Sequence, residues 1–584
     1  GMGDYEKAQP LIDELTHLNQ SLITKAMHHL SERELNTYLN KFSESQYLAL
    51  SYAQLAGGDK SAPNCFNYAL FYKGFLLNAA GQIKRLALSD SQTTEKYNLL
   101  KSFERRLSAQ YALTIAERDS AIVIELEEKA NDLEKYLART VAGFGEALRQ
   151  VKWQEVQKKL KADELALELV HYRYTDKKQT DSTMYAALLL RPGCESPRFI
   201  ALFEEKSLDS LLHTTGERKA DYVNALYTIA ERSTKPLGKP KKSLYELLWK
   251  PLEKHLAGVN TVFFSPSGLL HRLNLAAIPI GLDSALADRH HFVELGSTRQ
   301  LVIPNEYKPA ANDAVLFGGI QYDADSTAIS RANSTLDSIS IASRGELSFS
   351  YTDSTLRVGA WSELPFTERE VNNIGRIMKS AGIQPETRRG YIATEEAFKS
   401  IGAGKKPSPR VLHLATHGFF FPDPKSATSS ERVSGEREPV FKISDHPMIR
   451  SGLILSGGNH AWVTGKSAAS GLEDGILTAY EISQMNLSNT ELVVLSACET
   501  GLGDVQGNEG VYGLQRAFKI AGAKYLIMSL WQVPDKQTSL LMTTFYKKWL
   551  EEKMAIPEAF RAAQKELREA GLDPYYWAGF VLVE

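Results

Sequence analysis

Hydrophobic positions change their period along this chain. Through residue 160 they recur at three- and four-residue spacing. Leu126, Ala130, Leu133, Leu137, Val141 and Phe144 form an amphipathic stripe among Glu, Lys and Arg, the signature of a surface helix. Residues 47–55 and 65–77 read as helices too, with breaks at Gly57-Gly58 and Pro63. No clean 34-residue period emerges, so the region is either a helical bundle or the degenerate end of a helical repeat array.

Near Asp163 the pattern turns strand-like. Residues 165–174 and 184–191 flank the polar stretch 176–182, and 198–203 give a third short run, as in a meander or hairpin. Residues 222–231 and 243–255 read as helical. The short apolar runs 262–265 and 314–317 end at Pro266-Ser267-Gly268 and Gly318-Gly319, as buried strands do. The long polar segments 321–364 and 422–446 are expected to be functional or disordered loops.

From Pro365 strands and helices alternate. A helix is expected over 367–381, with Thr367 as cap and Glu370 completing a capping box. Further helices fall at 394–401, 511–520, 536–550 and 556–570, and strands at 411–415, 452–456, 492–496, 525–530 and 580–583. Such alternation implies an α/β fold, a mainly parallel sheet covered on both faces. The expected division is a helical region 1–162, a first α/β part 163–364 and a second 365–584.

Composition narrows the class. Hydrophobic residues are 43% and charged residues 24%, ordinary for a globular protein, and the net charge of −2 gives no reason to expect nucleic acid or an anionic membrane as partner. No run approaches the roughly 18 apolar residues of a membrane span. The N-terminal segment lacks the apolar core of a secretory signal. Cys65, Cys194 and Cys498 lie far apart, which fits a reducing cytoplasm better than a disulfide framework.

Two strand ends carry reactive groups. Leu492-Val493-Val494-Leu495 reads as a strand buried on both faces and delivers Cys498 at its carboxyl end, before the glycine-rich turn of Gly501, Gly503, Gly507 and Gly510. Val411-Leu412-His413-Leu414-Ala415-Thr416 delivers His417, followed by Gly418. In open α/β sheets, ligands bind at the carboxyl ends of strands. A cysteine thiolate attacks carbonyls, a neighbouring histidine takes its proton, and amide N–H groups stabilise the tetrahedral intermediate. Gly418, without a Cβ, lets its N–H approach a substrate; the N–H of Cys498 is the second candidate donor. Either reactive residue alone would be read as structural, as His413 is. Metal binding by the two histidines lacks a carboxylate or cysteine partner. The 501–507 loop matches a dinucleotide fingerprint poorly, so no metal and no cofactor is expected.

Together these motifs resemble the caspase-like cysteine peptidases, the group of caspases and separase. More closely, residues 411–420, the run Asp474-Gly475-Ile476-Leu477-Thr478-Ala479, residues 495–501 and 513–523, Ser529-Leu530-Trp531-Gln532-Val533 and Trp577-Ala578-Gly579-Phe580 resemble the bacterial CHAT family, whose domains typically follow tetratricopeptide repeats. The resemblance implies a caspase-like fold with a non-catalytic first part and a TPR-like helical region ahead of it. It implies a hydrolase acting on a protein substrate, with Cys498 as nucleophile, His417 as acid or base and Gly418 in the oxyanion hole. It further implies an activating protein or complex on the N-terminal helices. The alternative is a caspase-like scaffold with an idle thiol. Ser496-Ala497-Cys498-Glu499-Thr500-Gly501 departs from the caspase motif, and His417 and Cys498 lie farther apart than the roughly 50 residues of caspases. Aspartate preference therefore does not carry over. Asp474, Glu499 and Asp535 instead suggest a basic side chain before the cleaved bond, with Trp531 either a pocket wall or core.

Overall fold

A computed structural model describes residues 5–87, 90–111, 118–140, 150–176, 178–212, 219–228, 242–281, 283–303, 312–334, 360–403, 406–421, 446–469, 471–498, 500–505 and 510–584. Glu499, most of 321–364 and most of 422–446 lie outside these residues. Within the first polar segment a short helix, Ser326–Asn333, is capped by Asp325.

The strands, in chain order, are β1 (Glu164–Asp176), β2 (Lys178–Leu190), β3 (Arg198–Glu204), β4 (Thr261–Ser265), β5 (Pro279–Gly281), β6 (Ser284–Ala285), β7 (His291–Glu294), β8 (Asp313–Ile320), β9 (Gln384–Gly390), β10 (Val411–Ala415), β11 (Gly418–Phe420), β12 (Ser451–Ile454), β13 (Ile476–Thr478), β14 (Leu492–Ser496), β15 (Gly503–Val505), β16 (Val511–Gly513), β17 (Tyr525–Ser529) and β18 (Phe580–Val583). One large sheet runs β3-β2-β1-β4-β7-β18-β17-β14-β10-β8-β9. Its neighbours are parallel except β1 with β2, β2 with β3, and β17 with β18. The expected α/β class, with a mainly parallel sheet, is what the chain adopts.

Alternation along β1 shows why both faces are covered. Leu165, Leu167 and Leu169 enter the main core, while Ala166, Val170 and Tyr172 pack with Leu50, Phe66 and Trp153 from the helices ahead of the sheet. Those helices, beginning with Tyr5–Met27 and reaching Ser120–Thr140, precede the α/β part, as the three- and four-residue spacing of apolar positions predicts. Buried charge joins the two. Lys73 meets Glu168 of β1 at 2.9 Å and donates to Ser265 and to the carbonyls of Ser265 and Pro266. Lys84 donates to the carbonyls of Met485, Ile520 and Ala521.

Three local expectations fail, each for a physical reason. The helix expected from Thr367 begins at Pro365, whose fixed φ suits the first turn, with Leu364 as N-cap. Thr367 instead accepts from the Gly319 N–H, and Glu370 is drawn inward to His413. The strand expected at 452–456 pairs outside the large sheet, in a three-stranded sheet β11-β12-β13. The 501–513 region folds as the hairpin β15–β16, so the helix begins at Leu514 and not at Val511.

Candidate active site

β10 and β14 are parallel neighbours in register from Val411 with Leu492 to Ala415 with Ser496. Both then leave the ladder, and two residues further each presents a reactive side chain: His417 on one, Cys498 on the other. Both are half-buried. The two strand ends touch. A Cβ built on Gly418 would stand 2.6 Å from the Cys498 carbonyl oxygen and 2.9 Å from Thr500, so only glycine fits this approach.

The turn around Cys498 is pinned from β17. Ser529 Oγ donates to the Ala497 carbonyl at 2.6 Å, the Ser529 N–H to Thr500 Oγ1 at 3.0 Å, and the Gly501 N–H to the Ser529 carbonyl at 2.7 Å. Such bonds on both sides of the cysteine fix where its side chain leaves the backbone.

His417 is fixed equally well. Its Nε2 lies 2.7 Å from the Ser362 carbonyl oxygen. A carbonyl can only accept, so Nε2 carries the hydrogen and Nδ1 of the neutral ring is the acceptor. Tyr322 and Trp361 flank the ring at centroid distances of 5.0 and 4.8 Å. Asn459, 3% exposed, holds that strap: its Oδ1 accepts from the Trp361 N–H at 2.7 Å, and its Nδ2 donates to the Trp361 carbonyl at 3.0 Å. Burial pushes the His417 imidazole below its ordinary value, opposed by the Ser362 carbonyl and the charge of Asp535. The Tyr322 phenol is pushed up by burial, and the nearby charges of Cys498 and Glu363 add to the shift. Sequence reasoning missed Ser362, Tyr322, Trp361, Asn459 and Ser529. The strap and its asparagine lie far from β10 in the chain, and only the fold brings them together.

A family model described as "CHAT domain" matches residues 238–584, more than half of the chain. This chain belongs to the CHAT family. Tetratricopeptide repeat protein 28 of Mus musculus is 26% identical to it over 247 residues, covering 38% of this chain and 9% of that protein. The Homo sapiens protein of the same name is 26% identical over 226 residues, covering 38% and 8%. The chain thus spans a small fraction of these relatives' length. Among solved structures, the Saccharomyces cerevisiae separase–securin complex aligns with 98% of this chain and 40% of that chain, at 9% identity and TM-score 0.42. The Arg-specific cysteine proteinase gingipain R aligns with 62% and 73%, at 9% identity and TM-score 0.32.

The remaining candidates of the CHAT region separate in space. Asp535 begins the helix Asp535–Leu550, accepts weakly from the Phe366 N–H, and faces His417 electrostatically. Trp531 is 4% exposed; its indole N–H donates to the Tyr575 carbonyl at 2.9 Å and its ring leans on Tyr227, which places it in the core. Asp474 is 3% exposed and feels the charges of Lys399, Glu473 and Glu481 around it. Glu499 lies outside the described residues. His413, fully buried, meets Glu370 at 2.8 Å. No helix among the described residues is long and apolar enough to cross a membrane.

Proposed function

We propose that this CHAT protein is a cysteine endopeptidase that cleaves a protein substrate through an acyl-enzyme on Cys498. The observation that supports this best is the shared level of His417 and Cys498 on adjacent parallel strands, with Gly418 packed on the Cys498 carbonyl. In this reading Nδ1 of His417 takes the thiol proton, and the thiolate sulfur attacks the scissile carbonyl carbon. The oxyanion is received by the N–H groups of Gly418 and Cys498, a contribution of a few kcal/mol per donor in comparable sites (~3 kcal/mol). The imidazolium, stabilised through the Ser362 carbonyl, then protonates the leaving amine, and water hydrolyses the thioester. Asp535 and Glu363 would favour a basic side chain before the cleaved bond.

The N-terminal helices serve, in this proposal, as the dock for an activating protein. Relatives named for tetratricopeptide repeats support it, and so does a contact path: Arg516, in the helix that follows the Cys498 loop, pairs with Glu32 at 2.9 Å. A cavity of about 1030 Å³ opens between these helices and the CHAT part, walled by Leu30, Tyr97, Glu134, Tyr480 and Arg516.

The test is digestion of a proteome-derived peptide library under reducing conditions by wild type, Cys498→Ala and His417→Ala, read by mass spectrometry. Cuts made by wild type alone, enriched for Lys or Arg before the bond, are the expected result. Cuts retained in Cys498→Ala would refute the assignment. Should wild type make none, selective alkylation of Cys498 at mildly acidic pH separates a poised thiolate from an idle thiol.

A further inference from the structure

The cavity between the N-terminal helices and the CHAT part has a definite chemistry. In the helix Ser120–Thr140, Leu126, Ala130 and Leu137 fill the core of the helical region. The next stripe, Glu127, Asn131 and Glu134, follows the same four- and three-residue spacing and lines the cavity. The helix Ser91–Tyr111 adds Tyr97, Lys101, Glu104 and Tyr111. From the CHAT part come His446 and Tyr480, with ring centroids 4.9 Å apart, and Tyr111 stacks on His446 at 6.0 Å. Three aromatic rings thus run across the junction of the two regions. Burial, and then the charges of Glu104, Tyr111, Glu134 and Glu32, raise the Tyr480 phenol, so these groups face one another.

Among the described residues, six carboxylates line this cavity against four cations. The cations already have partners: Arg33 meets Glu127, Lys101 meets Glu104 at 2.7 Å, and Arg516 meets Glu32 at 2.9 Å, while Arg118 donates to the Tyr111 carbonyl at 3.2 Å. Glu34 pairs with Lys135 at 2.7 Å. Glu134 has no such pair. Its Oε2 accepts from the Glu32 N–H at 2.8 Å, and no lysine or arginine among the described residues stands within ion-pair distance of it. Burial, Glu104 and Glu32 push this carboxyl up to about 8, so it holds its proton at neutral pH. A cation beside it reverses that shift, and the proton leaves to water.

We propose that this cavity receives a basic, otherwise apolar peptide segment of the docking partner, whose Lys or Arg side chain passes the aromatic rings and ends at Glu134. A carboxylate set among aromatic faces is the chemistry that recognises an organic cation. At about 1030 Å³ the cavity exceeds the usual room of a small-molecule site, and Asn36, Asn131 and Gln484 on its wall suit a peptide backbone. Gln484 Oε1 is buried with no donor among the described residues. Glu32 ties the site to the Cys498 loop: its N–H holds Glu134, and its carboxylate pairs with Arg516 in the helix Leu514–Ala521. The partner is the one docked on these helices under the proposed function, and its chemistry rests on that reading.

The experiment pans a displayed library of random hexapeptides on the full Cys498→Ala chain. The library is first depleted on the same chain carrying Glu134→Gln, which removes peptides held at the candidate active site. Expected survivors carry Lys or Arg beside apolar residues. As synthetic peptides they should bind the Glu134→Gln chain at least tenfold more weakly by fluorescence anisotropy. Lys101→Met, which removes the wall's own ammonium, should bind them at least threefold tighter, and it serves as the test if Glu134→Gln does not fold. No survivors, survivors without a basic residue, or equal affinity in a folded Glu134→Gln chain overturn the proposal. So does full displacement by equimolar spermidine, which would make the ligand a small amine. Cleavage by wild type is measured separately, so failure of the peptidase reading and failure of this binding are told apart.

Discussion

The backbone at Gly418 passes so close to the carbonyl oxygen of Cys498, 498 − 418 = 80 positions on, that a Cβ there would stand 2.6 Å from it. A methyl group there would overlap that oxygen and Thr500. Gly418→Ala is therefore expected to displace the Cys498 turn. Overpacking of this kind costs about 1–3 kcal/mol in stability, and a shift near 1 Å at a reacting centre about 100-fold in rate. Measuring kcat/KM beside the unfolding midpoint checks it; unchanged kcat/KM would mean that the turn yields without cost.

Asn459 holds the Trp361 backbone at both its N–H and carbonyl. The next carbonyl, Ser362, fixes the His417 ring. Asn459→Ala should lower kcat about 10- to 100-fold through lost orientation, with KM little changed. Asn459→Asp, which keeps the acceptor for the Trp361 N–H but sets a carboxylate against Asp323, the second acceptor of the Asn459 amide at 2.9 Å, should fall further than Asn459→Ala. A KM effect with intact kcat would instead make the strap a substrate-binding element.

The two histidines of β10 and its extension have opposite jobs. His413 is fully buried between Glu370 and Tyr546, whose hydroxyl lies 3.3 Å from its Nδ1. His413→Ala leaves the buried Glu370 Oε1 without its hydrogen-bond partner, and an unsatisfied buried polar group costs about 1–3 kcal/mol. His417→Ala should leave the midpoint nearly unchanged and abolish cleavage. Chemical denaturation and peptide cleavage on both variants would separate the roles, and a reversed pattern would exchange the assignments.

The imidazole of His417 is depressed below its ordinary 6.5, chiefly by burial. It therefore stays neutral, and able to accept the thiol proton, further into acid than a solvated histidine. The acid limb of kcat/KM is expected below pH 6.5. Asp535 pulls the other way, so Asp535→Asn should move that limb to still lower pH. The sign for stability follows from linkage: below 6.5 the unfolded chain takes up this proton first, so the contribution of this ring is whole above 6.5 and declines as the pH falls toward its folded value. An acid limb above 6.5, or one that rises in Asp535→Asn, contradicts the geometry.

What the sequence determined by itself is what local chemistry dictates. Apolar, β-branched runs at 411–415 and 492–496 can only be buried strands, and their carboxyl ends had to carry His417 and Cys498 wherever the strands went. The change from helical to alternating period near Asp163 marked the sheet for the same reason: periodicity records which face each residue buries. Only the tertiary structure decided pairings between distant segments. That β10 lies beside β14 in register, that Ser362 reaches His417, that Glu370 leaves its capping box for His413, and that Glu473 and Glu481 pair with Lys399 are all long-range contacts. A one-residue slip would undo each of them, and no local pattern specifies them. Burial then chose among side chains the sequence left equal: Asp535, on a helix end facing His417, stays half-exposed at the site, whereas Trp531 and Asp474 are withdrawn from it.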